Sequence, residues 1–204
     1  GRTAAAARAA ASHTGALAGS DAVYDAAFRR AGMLRVFSMD ELFDAVESLA
    51  YGPRIVGDRL AIVSNGGGIG VLATEALSDA GGTLATLTPE TVQRLDGCLP
   101  ATWSHGNPVD IIGDAPGSRY ADAVAAVLEN PGTDAVLVLN CPTAIADSRE
   151  AAQATLEVIQ GAAAKRPRPP VLTSWLGDGP AAEARQMFAA SRVPSYATPE
   201  QAVR

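Results

Sequence analysis

The sequence predicts an α/β protein built on a parallel, doubly wound sheet. Three observations carry that prediction. From about residue 58 onward, short apolar runs alternate with stretches of helical period. The connections between them are brief and rich in glycine and proline. The run Ala135 to Leu139 is apolar at every position, as in strands covered on both faces.

The elements follow in order. Ser20 or Asp21 is suited to cap a helix whose core face is Val23, Ala27 and Ala31, and Gly32 stops it. Met33 to Phe37 reads as a short strand. Ser38-Met39-Asp40-Glu41 has the form of a capping box, opening a helix that places Leu42, Phe43, Val46, Leu49 and Ala50 on one apolar face. Gly52-Pro53 and Gly57-Asp58 bracket a linker. Leu60 to Ser64 is a strand. The turn Asn65-Gly66-Gly67-Gly68 leads into a helix with Ile69, Leu72, Ala73, Ala76, Leu77 and Ala80 on one face. Thr83 to Leu87 returns as a strand, and Thr88-Pro89 opens a shorter helix. The second half repeats the theme. Strands at Pro108 to Ile112, Ala135 to Leu139, Pro170 to Trp175 and Pro194 to Ala197 alternate with helices. Those helices carry Tyr120, Val124, Val127 and Leu128, then Ala152, Leu156, Ile159 and Ala163, then Pro180 to Ala190. The βαβα alternation points to a flavodoxin-like sheet over 58–204, preceded by a β–α tail.

Composition narrows the function. At 204 residues, 48% hydrophobic and 19% charged, the chain has the material for a soluble core. A net charge of −6 offers no basic field for nucleic acid, and Lys165 is the only lysine. No apolar run approaches the ~18–20 residues of a membrane span, and the Ala-rich start has no secretory h-region. Cys98 and Cys141 are too few and too far apart for a disulfide scaffold or a thiolate zinc site. With His13 and His105 the only histidines, no metal site is expected, and a reducing cytoplasm is the expected compartment.

In an open parallel sheet, ligands sit beyond the carboxyl ends of the strands. Asn65-Gly66-Gly67-Gly68 brings unobstructed backbone N–H groups to a helix N-terminus, which suits an anion; it equally makes a tight turn. The dinucleotide fingerprint is incomplete, with Val71 in place of the third glycine, and no acidic residue ends the next strand to hold a ribose. Asn140-Cys141-Pro142-Thr143-Ala144 follows the most apolar strand and offers a second turn with N–H donors and the Thr143 hydroxyl. Cys141 reads either as a nucleophile or as a small filler, with no histidine nearby for the former; Cys98 reads as a packing residue. His13, in Ser12-His13-Thr14-Gly15-Ala16-Leu17-Ala18-Gly19, lies in a loop of small residues that would leave its imidazole unshielded. Its spacing alone leaves a functional and an incidental role equally open. His105 reads as a turn-capping loop residue or a ligand contact.

These segments carry a resemblance. SHTGALAG before a helix, then NGGG, NPVDIIGDA and a PTA turn resemble, in order and over essentially the whole chain, the NDP-forming acyl-CoA synthetases, relatives of succinyl-CoA synthetase. The resemblance implies that His13 is transiently phosphorylated. It also implies that Asn65, Gly66, Gly67 and Gly68, with a helix start at Pro142, Thr143 and Ala144, help to build the phosphate and acyl-substrate site. Succinyl-CoA synthetases have a glycine pair where this chain has Pro142-Thr143. By the same resemblance, residues 1–52 are the C-terminal part of one succinyl-CoA ligase-like domain and 58–204 form a flavodoxin-like ligase domain.

A CoA-binding domain and an ATP-grasp module, on the same or another chain, are then the expected partners. CoA, ATP or ADP (or GTP or GDP) and Mg²⁺ are expected in the full enzyme and none bound by this chain. Acyl-CoA and phosphate are the expected substrates, and an exposed apolar tail favours a homo-oligomer or docking on the second domain. Two other roles stand beside this one: an acyl-CoA-sensing module of a fused protein acetyltransferase, whose relatives have lost the histidine present here, and a purely structural assembly domain.

Overall fold

The computed structural model describes residues 2–14, 19–52, 54–162 and 168–204; within these, the side chains of residues 13, 14, 162 and 180 lie outside the description. The chain divides into two compact units, Gly1–Ala45 and Val46–Arg204.

The first unit holds α1 (Ala4–Thr14), α2 (Asp21–Ala31) and the start of α3 (Met39–Tyr51). Gly32 ends α2 with φ 67°, a left-handed value natural to glycine, while Met33 N–H bonds back to the Phe28 carbonyl at 2.9 Å. Ser20 occupies the N-cap position without a side-chain capping bond. Ser38 does cap: its hydroxyl accepts from Glu41 N–H at 3.1 Å, and the Glu41 carboxylate reaches back to Phe37 N–H at 2.6 Å.

One expectation fails in this unit and another holds. Met33 to Phe37 is irregular rather than a strand, because a strand exists only through a paired neighbour and no described residue pairs with it. The apolar tail is exposed, as expected: neither α2 nor α3 has a buried residue, and Val23, Leu42 and Phe43, with Val46 and Leu49 just beyond the unit, are all exposed, Phe28 being half-buried. Local order comes instead from Arg35. Its guanidinium pairs with Asp21 at 2.5 Å and Asp25 at 3.1 Å and lies over the Phe28 and Phe37 rings.

The second unit is the doubly wound sheet. β1 (Arg59–Ser64), α4 (Gly67–Asp79), β2 (Thr83–Leu84), α5 (Pro89–Asp96), β3 (Val109–Asp110), α6 (Gly117–Leu128), β4 (Ala135–Asn140), α7 (Ser148–Ala162), β5 (Val171–Trp175), α8 (Pro180–Ala190), β6 (Ser195–Tyr196) and α9 (Pro199–Val203) follow in order. All pairings are parallel, in the order β2-β1-β4-β5-β6, with β3 also on β1. The flavodoxin-like reading is therefore borne out.

β2 and β3 share one edge of β1. β2 pairs with Arg59 and Leu60, β3 with Val63 and Ser64, so each is shorter than expected. Asn107 fills the gap between them. Its amide oxygen accepts from Ile62 N–H at 2.9 Å, and its NH₂ donates to the carbonyls of Leu60 at 2.8 Å and Ala85 at 2.9 Å. One side chain thus supplies the bonds a missing strand residue would make.

Successive residues of each strand feed opposite faces. Ala61, Val63, Val136 and Val138 pack with Leu95, Tyr120, Val124, Val127, Ala152, Leu156 and Phe188 on one face. Leu60, Ile62, Leu137 and Leu139 pack with Ile69, Ala73, Leu77 and Ala202 on the other. The predicted face of α6 is buried; in that of α4, Ile69, Ala73 and Leu77 are buried, Ala76 is half-buried, and Leu72 and Ala80 stay exposed, while Ile159 packs half-buried against the first cluster. Ala163 and Lys165 lie outside the described residues. The short α9, which composition alone did not mark, is closed by a full capping box at Thr198 and Gln201. No described helix is long and apolar enough to cross a membrane.

Candidate functional site

The strand order reverses between β1 and β4, so the loops after these strands diverge at the point where such sheets form a crevice. Asn65 spans that point. Its NH₂ donates to the Cys141 carbonyl at 2.9 Å and its amide oxygen accepts from Cys141 N–H at 2.8 Å. Both ends of the carboxamide are used and the residue is 3% exposed, so Asn65 is a clamp between loops and not the accessible ligand contact expected of it.

The glycines after it behave differently. Gly67 and Gly68 are exposed, and α4 starts at Gly67 with no side-chain capping bond. Its first N–H groups are therefore free of an internal cap. Gly67 also permits a close approach: a Cβ there would lie 3.0 Å from Asp110 Oδ2. Asp110 in turn accepts Ile112 N–H on Oδ1 at 2.9 Å.

The other turn departs from expectation. Pro142, Thr143 and Ala144 do not begin a helix; α7 begins at Ser148, and residues 141–147 form an irregular turn closed by a bridge between Thr143 and Ala146. The reason is capping. The Asp147 carboxylate accepts from Arg149 N–H at 2.8 Å and Glu150 N–H at 3.4 Å, which sets the helix start there. Thr143 donates its hydroxyl to the Gly113 carbonyl at 2.9 Å and so docks this turn on the loop after β3. Asn65 and Thr143 do share the carboxyl edge, on neighbouring loops.

A polar chain fixes the base of α7. Tyr120 OH donates to the Leu139 carbonyl at 3.1 Å and accepts from Asn140 NH₂ at 2.9 Å. Asn140 Oδ1 accepts from Ser148 Oγ at 2.7 Å, and Trp175 Nε1 donates to the Ser148 carbonyl at 2.9 Å. Burial pushes the Tyr120 phenol well above its ordinary range, so it stays a donor. Sequence reasoning missed this chain, since its members are scattered over four elements.

Beside α7 lies a cleft lined by Asp114, Ala144, Ile145, Asp147 and Glu150. Its carboxylates are engaged. Glu150 Oε1 accepts from Gly117 N–H at the start of α6 at 3.1 Å. Asp114 pairs with Arg119, whose guanidinium holds that carboxyl below its usual range. The helix starts at α6 and α7 thus already face protein carboxylates, whereas that of α4 has none bonded to it.

The remaining candidates separate cleanly. His13 sits in the last turn of α1 rather than in a loop, with Gly15 to Ala18 outside the described residues. His105 is a loop residue: Nδ1 is 3.0 Å from Asp96 Oδ1, Nε2 is 3.2 Å from the Ala101 carbonyl, and the ring lies 4.7 Å from that of Trp103. Cys98 packs against the core as expected, though its Sγ does find a partner in the Leu95 carbonyl at 3.5 Å. Burial raises its thiol pKa. Cys141 is half-buried, with its backbone held by Asn65. Among the described residues no group of three or more His, Cys, Asp or Glu is arranged to hold a metal ion.

Comparison with known proteins fits this geometry. Residues 60–203 match the model of the Ligase-CoA domain. The chain belongs to that family. Residues 1–49 match the succinyl-CoA ligase like flavodoxin domain. Over all 204 residues the chain is 38% identical to the acetate–CoA ligase [ADP-forming] I subunit alpha of Pyrococcus furiosus, covering 43% of that protein. It is 34% identical to the 4-hydroxybutyrate–CoA ligase [ADP-forming] of Nitrosopumilus maritimus, covering 28% of it. Among solved structures, the dinucleotide forming acetyl-coenzyme A synthetase 1 of Ca. Korarchaeum cryptofilum, in complex with phosphate and ADP, superposes with a TM-score of 0.89. That match is 37% identical and covers 100% of this chain and 43% of the other. The chain spans less than half the length of these relatives.

Proposed function

We propose that the chain is the phosphohistidine-bearing part of an NDP-forming acyl-CoA synthetase. The observation that carries this reading is the alignment of all 204 residues with ligases named as ADP-forming, at 34–38% identity. In this reading residues 1–52 are the C-terminal part of a succinyl-CoA ligase-like domain and residues 58–204 the flavodoxin-like ligase domain.

The chemistry balances as a phosphoryl relay. An oxygen of inorganic phosphate attacks the thioester carbonyl of acyl-CoA, and the thiolate of CoA leaves. A ring nitrogen of neutral His13 then attacks phosphorus, and the carboxylate departs with the bonding pair. Phosphorylated His13 passes the group to ADP or GDP. An imidazole with an ordinary pKa near 6.5 is largely unprotonated at pH 7, as a nucleophile must be.

The second unit contributes the N-terminus of α4, where the exposed Gly67 and Gly68 present their N–H groups to phosphate oxygens, while Gly66, whose N–H bonds to Ser64 Oγ at 3.0 Å, shapes the turn. Asn65 holds that turn against Cys141. The turn at Pro142, Thr143 and Ala144 forms the facing wall.

Mg²⁺ and the nucleotide need a carboxylate cluster and a basic phosphate cradle; among the described residues no group of three or more His, Cys, Asp or Glu is arranged to hold a metal ion. We therefore assign them, with CoA, to CoA-binding and ATP-grasp modules that complete the enzyme. Nucleotide and CoA substrates, with only two cysteines in the chain, support a cytoplasmic location.

Labelling tests the reading. Incubated with γ-labelled ATP, the assembled protein is expected to acquire an acid-labile, base-stable phosphate that His13→Ala abolishes. Label that persists in the variant overturns the assignment and moves it to His105.

A further inference from the structure

We infer that Ile112 is a specificity-determining residue that meets the acyl group of the substrate; this rests on the functional reading above. Ile112 adopts φ 71°, a conformation that a β-branched side chain resists because its Cβ crowds the backbone. The local sequence makes the choice conspicuous. Glycine, the residue suited to this φ, stands next door as Gly113 and is not used there in the left-handed region. The strain is locked in by the backbone: Ile112 N–H bonds to Asp110 Oδ1 at 2.9 Å, and its carbonyl accepts from Ala115 N–H at 3.1 Å.

Core packing does not explain the residue. Its neighbour Ile111 is fully buried in the apolar cluster under α6, but Ile112 is only half-buried and belongs to neither cluster. Strain kept without a packing return concentrates at ligand sites.

Its position fits such a site. Ile112 lies in the loop after β3, between the α4 turn and the Thr143 turn. A Cβ on adjoining Gly113 would be 3.7 Å from both the Asn65 carbonyl and Thr143 Cγ2. Charged carboxylates dominate this edge, at Asp110, Asp114 and Asp147. An aliphatic side chain held there against its backbone preference suits the one apolar part of the substrate, the alkyl portion of the acyl group.

The test uses the assembled enzyme, with ATP formation from phosphate, ADP and either acetyl-CoA or butyryl-CoA as the assay. Ile112→Gly and Ile112→Asn both tolerate the left-handed backbone. Neither is expected to lower the thermal midpoint. Each is expected to shift the ratio of kcat/KM for the two acyl-CoAs about tenfold or more, the scale on which apolar pockets discriminate, while Ile112→Val keeps the ratio within about threefold. ATP formation with an unchanged ratio in both the Gly and Asn variants overturns this inference and leaves the functional reading standing. Absence of acyl-CoA-dependent ATP formation by the wild-type assembly overturns both.

Discussion

The two units place similar apolar side chains in opposite circumstances. In residues 46–204 the sheet separates two apolar clusters, and Trp175, Tyr120 and Phe188 are fully buried in one of them. In residues 1–45 the large apolar residues Phe43, Leu34 and Val23 are each about two-thirds exposed, and α2 buries nothing. Helical periodicity is equally clear in both. It specifies which face of a helix is apolar, but burial requires an opposing surface. The first unit is held by short-range devices instead: the Arg35 pairs, the Ser38 cap and the Gly32 stop. Such devices are individually weak at exposed positions.

The difference has its largest expected consequence in truncations to alanine. Trp175 packs edge-on against Phe188 with ring centroids 4.7 Å apart and donates to the Ser148 carbonyl. Trp175→Ala should cost about 3–5 kcal/mol in urea unfolding. Phe43→Ala in the same 204-residue chain should stay within about 0.5 kcal/mol, as exposed substitutions do. In the assembled enzyme the Phe43 variant should become costly as well, since the proposed remainder of its domain would cover that face. Equal losses for the two variants in the isolated chain would erase the contrast between the units.

What the sequence made legible follows from how local each cause is. Gly32, the Thr88-Pro89 start and the apolar run of β4 are set by residues within one turn or one strand, and all stand where expected. The strand at Met33 to Phe37 needed a partner, which no local pattern can report. The helix start read at Pro142 was displaced to Ser148 by the Asp147 cap, a competing signal only five residues away. At the site, the glycine turn was legible because its chemistry lies in an uninterrupted run. The clamp from Asn65 to Cys141 was not, since its partners are 76 residues apart. Ile112 was invisible for another reason: a strained φ leaves no mark on residue type until the backbone is known.

A smaller effect is expected where one side chain replaces a strand. Asn107→Ala would leave Ile62 N–H and the Ala85 carbonyl without the bonds they now have, while the Leu60 carbonyl keeps Ala85 N–H at 2.8 Å. Orphaning buried backbone groups costs about 1–3 kcal/mol. Asn107→Asp should recover little, because a carboxylate cannot donate to the Leu60 and Ala85 carbonyls. Full stability in the Asp variant would show that the amide donors do not matter and that the acceptor for Ile62 N–H, which a carboxylate keeps, is enough. No counterpart exists in residues 1–45, where no described strand needs completing.

The smallest expected effect is electrostatic and confined to acid. Asp134 accepts from Arg59 Nε and an Arg59 NH₂ nitrogen, each at 2.8 Å, and from Arg59 N–H at 3.0 Å. These bonds favour the ionised carboxylate, and the Arg59 guanidinium lowers its pKa from 3.8 to about 2. The unfolded chain therefore takes up this proton at a higher pH than the folded one does. The pair's contribution is complete above about pH 4 and declines as pH falls through 4 toward 2. Asp134→Asn removes the titrating group. The difference in urea midpoint between wild type and variant should be constant from pH 7 to 5 and shrink between pH 4 and 2. The pairs of Arg35 with Asp21 and Asp25 make a useful control: Asp25 is also held below its usual range, chiefly by Arg35, but in the unit without a core. Asp25→Asn should leave the acid branch of the cooperative transition unchanged, because that transition reports the buried sheet. A gap for Asp134→Asn that stays constant down to pH 2 would mean that the carboxylate is no better held in the folded chain than in the unfolded one.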